Sequence, residues 1–182
     1  MITEPRSGAL NGGSARERAA TGNPLPFLLS SPQSMGHTLT NVLVHVVFAT
    51  KNREKTLTAA IRERLHAYLA QVANNQGARA HLVNGGLEHV HLLLRLPAKC
   101  ALSDLVRDLK SSSSGWLRRE LSPNFAWQRG FSAFSVSHSN FSAVYDYIRT
   151  QEDHHRRHTF EEELVSLLKR NELEYDEKYL WS

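Results

Sequence analysis

Two histidines, His89 and His91, flank a single valine in the segment EHVHLLLRL. On a β-strand, residues i and i+2 project to the same side, so both imidazoles face one way. Two neutral imidazoles on one face can share a divalent ion. A pair of polar residues on a solvated strand face accounts for so short a pattern equally simply. The second candidate is Tyr147. On a helical wheel of about 100° per residue, Gln151, His154 and His158 fall within about 40° of it. Phe141, Val144, Tyr145 and Ile148 gather on a different, apolar side. Tyr145 is therefore explained by packing, and spacing alone leaves Tyr147 a rim tyrosine half-covered by its neighbours. His154, His155 and His158 with Arg156 and Arg157 read as a basic helix end, which suits the helix dipole.

A third group is basic and small-polar. Lys51, Arg53 and Lys55 follow one apolar run; Arg107, Lys110 and Ser111 to Ser114 share a later one; Arg118, Arg119 and Arg129 come after. Such side chains neutralise or hydrogen-bond phosphates, so Lys51, Arg53, Arg107, Lys110, Ser114 and Arg129 are candidate DNA contacts. Trp127 and Phe131 beside Arg129 could stack on unpaired bases, or belong to the core. The overall charge allows this without requiring it: 22 Lys and Arg against 18 Asp and Glu give +4 over 182 residues. The lone cysteine, Cys100, excludes an intramolecular disulfide framework and a cysteine-based zinc site. A reducing cytoplasm is the default compartment. No apolar run reaches the roughly 18 residues of a membrane span, and MITEPRSGAL has no signal-peptide core.

These residues need elements to hold them. The β-branched run NVLVHVVFA (41–49) predicts a buried strand. Leu57, Ile61, Leu65, Tyr68, Leu69 and Val72 predict a helix that stops near Gly77. Strands are expected over 79–84 and 89–96, joined by a Gly85-Gly86 turn. A second helix follows, with Ser103 as its expected cap and Leu102, Leu105, Val106, Leu109, Trp116 and Leu117 inward. The alternation of FSAFSVS (131–137) predicts a half-exposed strand, Asn140 caps a third helix, and an amphipathic segment closes the chain from about Phe160 to Lys169. The order strand, helix, strand, strand, helix, strand, helix is that of an α+β, ferredoxin-like split βαβ fold, an antiparallel sheet with helices on one face. Three regions are expected: a disordered Gly/Ser/Pro-rich tail over 1–36, which an upstream start ahead of Met35 would explain; a catalytic domain over 37–158; and a helical extension over 159–182.

Taken in order, HVVFATKNR, GGLEHVHLLLRLP, WQRGFSAFSVSHSN and YIRTQEDHHRRHTFEEE resemble the single-tyrosine transposases of small bacterial insertion sequences (IS200-like), in the His-hydrophobic-His endonuclease superfamily. The similarity covers most of residues 37–182. It implies Tyr147 as nucleophile and His89, His91 and Gln151 as ligands of Mg²⁺ or Mn²⁺. It implies single-stranded DNA with hairpin ends as partner, and a homodimer whose active sites are completed in trans. The reaction implied is cutting and rejoining through a 5′-phosphotyrosine. A domesticated relative that binds or nicks hairpin nucleic acid is the alternative. One departure stands out: Glu88 occupies the place before the first histidine where the family often has Asp.

Overall fold

The computed structural model describes residues 38–181; the tail expected over 1–36 lies outside them. Four strands form one antiparallel sheet in the order β2-β3-β1-β4. They are β1 (Val42–Ala49), β2 (Arg79–Gly85), β3 (His89–Leu96) and β4 (Ser132–Val136). The helices are α1 (Ala59–Asn75), α2 (Leu102–Glu120), α3 (Phe141–Arg149), the short α4 (Gln151–His154), α5 (Phe160–Arg170) and the short α6 (Glu177–Leu180). This is the expected α+β split βαβ arrangement.

Alternation along β1 and β3 sends side chains to two faces, one wholly apolar and one that mixes apolar residues with His45, His89 and His91. Val44, Val46, Phe48, Val90, Leu92 and Leu94 meet Leu57, Ile61, Leu65, Leu69, Leu105, Leu109 and Leu117, so α1 and α2 cover one face. Leu43, Leu93 and Val136 meet Ile148 of α3 on the other. Val47, Ala49 and Phe134 meet Phe160, Leu164 and Leu168 of α5. The expectation of helices on one face therefore describes the two long helices only. The opposite face is roofed by α3 and α5, which bury its apolar positions Leu43, Val47, Ala49, Leu93, Phe134 and Val136 together with His45, His89 and His91; burying the apolar part favours folding at roughly 25 cal/mol per Å².

Local differences have local causes. Helix α2 begins at Leu102 with Ala101 at its N-cap, so Ser103 sits inside the first turn; Leu102 is drawn in because it packs on the first core. Asn140 occupies the N-cap of α3 but makes no side-chain cap bond, since a 3₁₀ turn over His138–Asn140 runs straight into the helix. Gly85 and Gly86 do not serve a positive-φ turn. A Cβ on Gly86 would lie 2.5 Å from His89 Cε1, and one on Gly85 would lie 2.2 Å from the His89 carbonyl oxygen. The pair is there so that the chain can pass against His89. Among the described residues, no helix is long and apolar enough to cross a membrane.

Candidate active site

His89 and His91 sit at the start of β3 and face α5, and both are fully buried, at 0% exposure. They do not lie on a solvated strand face. Small neighbours make room: in the register of β1 against β3, Ala49 lies opposite His89 and Val47 opposite His91. Phe160 stacks on the His89 ring, 4.3 Å between centroids. His45, on the same face of β1, brings Nε2 to 2.9 Å from His91 Nδ1. Burial, and then the nearby His91, push the His45 imidazole down to about 3, so it is neutral and able to accept. One of these two nitrogens donates to the other, and the contact holds the His91 ring with Nε2 toward the interior, the outer support that ligating histidines need.

A carboxylate stands where these nitrogens point. Glu163 is 3% exposed. His91 Nε2 lies 3.5 Å and His89 Nε2 3.8 Å from its oxygens. His155 Nε2 is 3.1 Å away. The Tyr147 phenol donates to Glu163 Oε1, and Gln151 Nε2 donates to the same oxygen at 2.8 Å. Burial works to raise the Glu163 carboxyl, but His155 and His91 outweigh it and hold the group far below the usual carboxylate range. Burial and Glu163 together push the Tyr147 phenol well above its ordinary value. His89 is held well below its normal value by burial and by His91. In His155, burial is overcome by Glu163, and the imidazole is raised.

Two helices aim these groups. Asn84 of β2 donates to the carbonyls of Ile148 and Arg149 at 2.8 and 3.1 Å, tying the end of α3 to the sheet at the two residues that follow Tyr147. Helix α5 starts with a complete capping box between Thr159 and Glu162. That start places Phe160, Glu163, Leu164 and Leu168 on one buried stripe.

The donor set fits a divalent cation. Two ligands each about 2.1 Å from one ion lie at most about 4.2 Å apart. The separations of 3.1, 3.5 and 3.8 Å fall inside that limit, and the ligand atoms of His89, His91, His155 and Glu163 all lie within 4.8 Å of one another. Both ring nitrogens of His89, Nε2 of His91 and Oε1 of Gln151 are buried without a hydrogen-bond partner among the described residues. Buried polar atoms are normally paired. Several unpaired donors converging on one point are what a cation site provides.

Tyr147, His89, His91 and Gln151 are therefore brought together. Of the six basic-region candidates, Arg53 lines the cleft beside the cluster, and Lys51, Arg107, Lys110, Ser114 and Arg129 lie away from it. Arg107 lies on α2, across the sheet from this cluster, and pairs with Asp104 and Asp108 on its own helix. Lys110 donates to the carbonyls of Gln128 and Gly130, the first at 2.6 Å. Ser114 is half-buried on the same helix, and Lys51 is exposed. Arg53 pairs with Glu161 at 2.8 Å and lies over the Trp181 ring. Arg129 borders a small cleft with Phe131 and Trp181. Trp127 is a core residue, 8% exposed, its indole donating to Ser113. A cleft of about 620 Å³ opens beside the cluster and is lined by Arg53, Lys55, Arg62, Glu88, His155, Arg156 and Arg157 among others. Glu88 lines its wall, and burial raises its carboxyl.

The comparisons with known proteins place the chain in a class of DNA-cleaving, strand-transferring enzyme. Residues 38–151 match the family model described as "Transposase IS200 like", and the chain belongs to that family. Among curated relatives, the transposase for insertion sequence element IS200 of Salmonella typhimurium is 27% identical over 68% of this chain and 85% of its own length. The ISDra2 transposase TnpA of Deinococcus radiodurans is 25% identical over 60% and 83%. Two solved structures share the fold at a TM-score of 0.52. One is a candidate transposase from Deinococcus radiodurans R1, 22% identical over 63% of this chain and 93% of that one. The other is a REP-associated tyrosine transposase bound to a REP hairpin, 18% identical over 65% and 71%.

Proposed function

We propose that the protein binds hairpin ends of a mobile element as single-stranded DNA, then cuts and rejoins strands through a 5′-phosphotyrosine on Tyr147. The observation that carries this reading is the convergence, within one chain, of the Tyr147 phenol and the inward nitrogens of His89 and His91 on a single buried point. His89, His91 and Gln151 would hold a Mg²⁺ or Mn²⁺ ion. When bound, such an ion neutralises and polarises the scissile phosphate.

The chain's own residues do the rest. His45 holds the His91 ring through its Nε2–Nδ1 contact. Asn84 and α3 hold the Tyr147 oxygen at the cluster, so attack needs little reorganisation. The phenol must lose its proton to attack phosphorus, and the Glu163 carboxylate already accepts it in a hydrogen bond. Attack forms a tyrosine O–P bond and breaks the P–O3′ bond, and the leaving oxygen takes up the proton that the phenol gave to Glu163 and departs as a 3′-OH. A different 3′-OH can reverse the step, so strands are rejoined without ATP. The REP hairpin held by a transposase of this fold supports a hairpin partner. The basic cleft at Lys55, Arg62, Arg156 and Arg157 supports a path for the phosphate backbone.

The resemblance implies a homodimer completed in trans. The single-chain geometry favours completion in cis, because Tyr147 already reaches the histidine cluster of its own chain. We further place the catalytic domain over 37–158, with 159–182 as an extension that lends Glu163 to the site.

The test uses a labelled single strand carrying any imperfect palindrome found in the DNA beside the gene. Wild type and Tyr145→Phe should form a covalent protein–DNA band with Mg²⁺ or Mn²⁺, and Tyr147→Phe should not. An adduct that survives Tyr147→Phe refutes the assignment.

A further inference from the structure

We infer that Glu163 and His155 are themselves ligands of the divalent ion, supplying a carboxylate and a third imidazole from α5 and the end of α4. This rests on the proposed ion at His89 and His91. Both residues lie beyond residue 151, where the family match ends.

Geometry carries the assignment. His155 Nε2 and Glu163 Oε2 are 3.1 Å apart, and the latter is 3.8 Å from His89 Nε2. All are separations that two ligands of one ion can have. Glu163 is 3% exposed on a helix stripe otherwise built from Phe160, Leu164 and Leu168. A carboxylate in such a slot costs several kcal/mol to desolvate unless a cation or donors compensate. The neighbours offer neutral donors in Tyr147 and Gln151 and one imidazole in His155, while both His89 nitrogens stay unpaired beside it. A cation among these groups satisfies His89 Nε2, His91 Nε2 and the carboxylate together.

The assignment changes the chemistry of the site. Two imidazoles and an amide leave an ion its full charge. Adding a carboxylate removes one unit of it and binds hard ions such as Mn²⁺ more tightly. It also makes α5 part of the catalytic centre. With Glu163 drawn to the ion, its hold on the Tyr147 phenol is shared, so ion binding and freeing of the nucleophile are coupled through one side chain.

The experiment is metal binding without DNA. Free Mn²⁺ is counted by electron paramagnetic resonance during titration of EDTA-stripped, full-length protein. The variants are Glu163→Gln, which keeps shape and the acceptor for Tyr147, His155→Gln, and His89→Ala. Far-UV circular dichroism checks that each is folded. His89→Ala should abolish binding, and Glu163→Gln and His155→Gln should each weaken it at least tenfold. A Co²⁺ visible spectrum should shift in band position in both Gln variants, which loss of a distant charge would not produce. If Glu163→Gln and His155→Gln bind within less than tenfold of wild type while His89→Ala does not bind, this inference is overturned and the histidine-pair site stands. If His89→Ala binds like wild type, the proposed ion site itself is wrong.

Discussion

Protonating a buried neutral histidine has a cost that can be worked out from the site. His45 is 3% exposed, and its imidazole is held down to about 3 by burial and then by His91, against a weaker pull from Glu163. Phe134 and Tyr147 are the rings that face it from β4 and α3. In the unfolded chain a histidine titrates near 6.5. The folded value is the lower one, so the stability linked to this group is present above about pH 6.5 and is lost as pH falls toward 3. At pH 5 the unfolded imidazole gains about 1.5 pH units of protonation that the folded one does not. At 1.36 kcal/mol per unit this is about 2 kcal/mol, against about 0.2 kcal/mol at pH 7. The assay is urea unfolding of metal-free protein followed by circular dichroism at pH 7 and pH 5, for wild type and His45→Gln. The variant is less stable at pH 7 because His91 loses its partner. Its deficit should shrink by about 2 kcal/mol at pH 5. His155, whose raised value contributes in the opposite direction, is common to both proteins and cancels in the comparison. A deficit that is the same at both pH values refutes the reasoning.

Other consequences are equally direct. Lys110→Met should lower the melting temperature, because its ammonium holds two backbone carbonyls, and leave single-strand affinity nearly unchanged. The double change Arg156→Gln with Arg157→Gln should leave stability unchanged and flatten the log–log salt dependence of single-strand binding by about 0.7 per charge removed. Gly86→Ala places a methyl 2.5 Å from His89 Cε1, so it should weaken Mn²⁺ binding measured by titration while the protein stays folded; unchanged binding would show that the close approach is not needed. Mixing Tyr147→Phe with His89→Ala protein should leave cleavage of a labelled strand absent if each chain completes its own site, and recovery of activity would establish sharing between chains.

The elements were legible because their periodicity is strong: the β-branched run of β1, the apolar spacing of α1 and the alternation of β4 follow from local residues alone. His89, His91, Tyr147 and Gln151 could be singled out by spacing, although spacing left the histidines a solvated pair and Tyr147 a rim residue. Their burial depends on α5, which is more than 60 residues away in sequence from β3, and no local pattern encodes that contact. Glu163 had a readable sign. It stands at i+3 from Phe160 on a stripe continued by Leu164 and Leu168, so a charge was present on a buried face. His45 carried a similar sign as the one polar residue within VLVHVVFA. The basic candidates were the least legible, because whether a lysine meets phosphate or a carbonyl of its own chain depends on the tertiary structure, and Lys110 meets carbonyls.

The central claim is that Tyr147 is the nucleophile. It is tested most directly by trapping wild-type protein on a single strand that carries any imperfect palindrome found in the DNA beside the gene, digesting the adduct, and mapping the nucleotide-bearing peptide by mass spectrometry. The account predicts a 5′-phosphonucleotide on Tyr147. A nucleotide on Tyr145 or any other residue, or cleavage with no adduct at all, would contradict it.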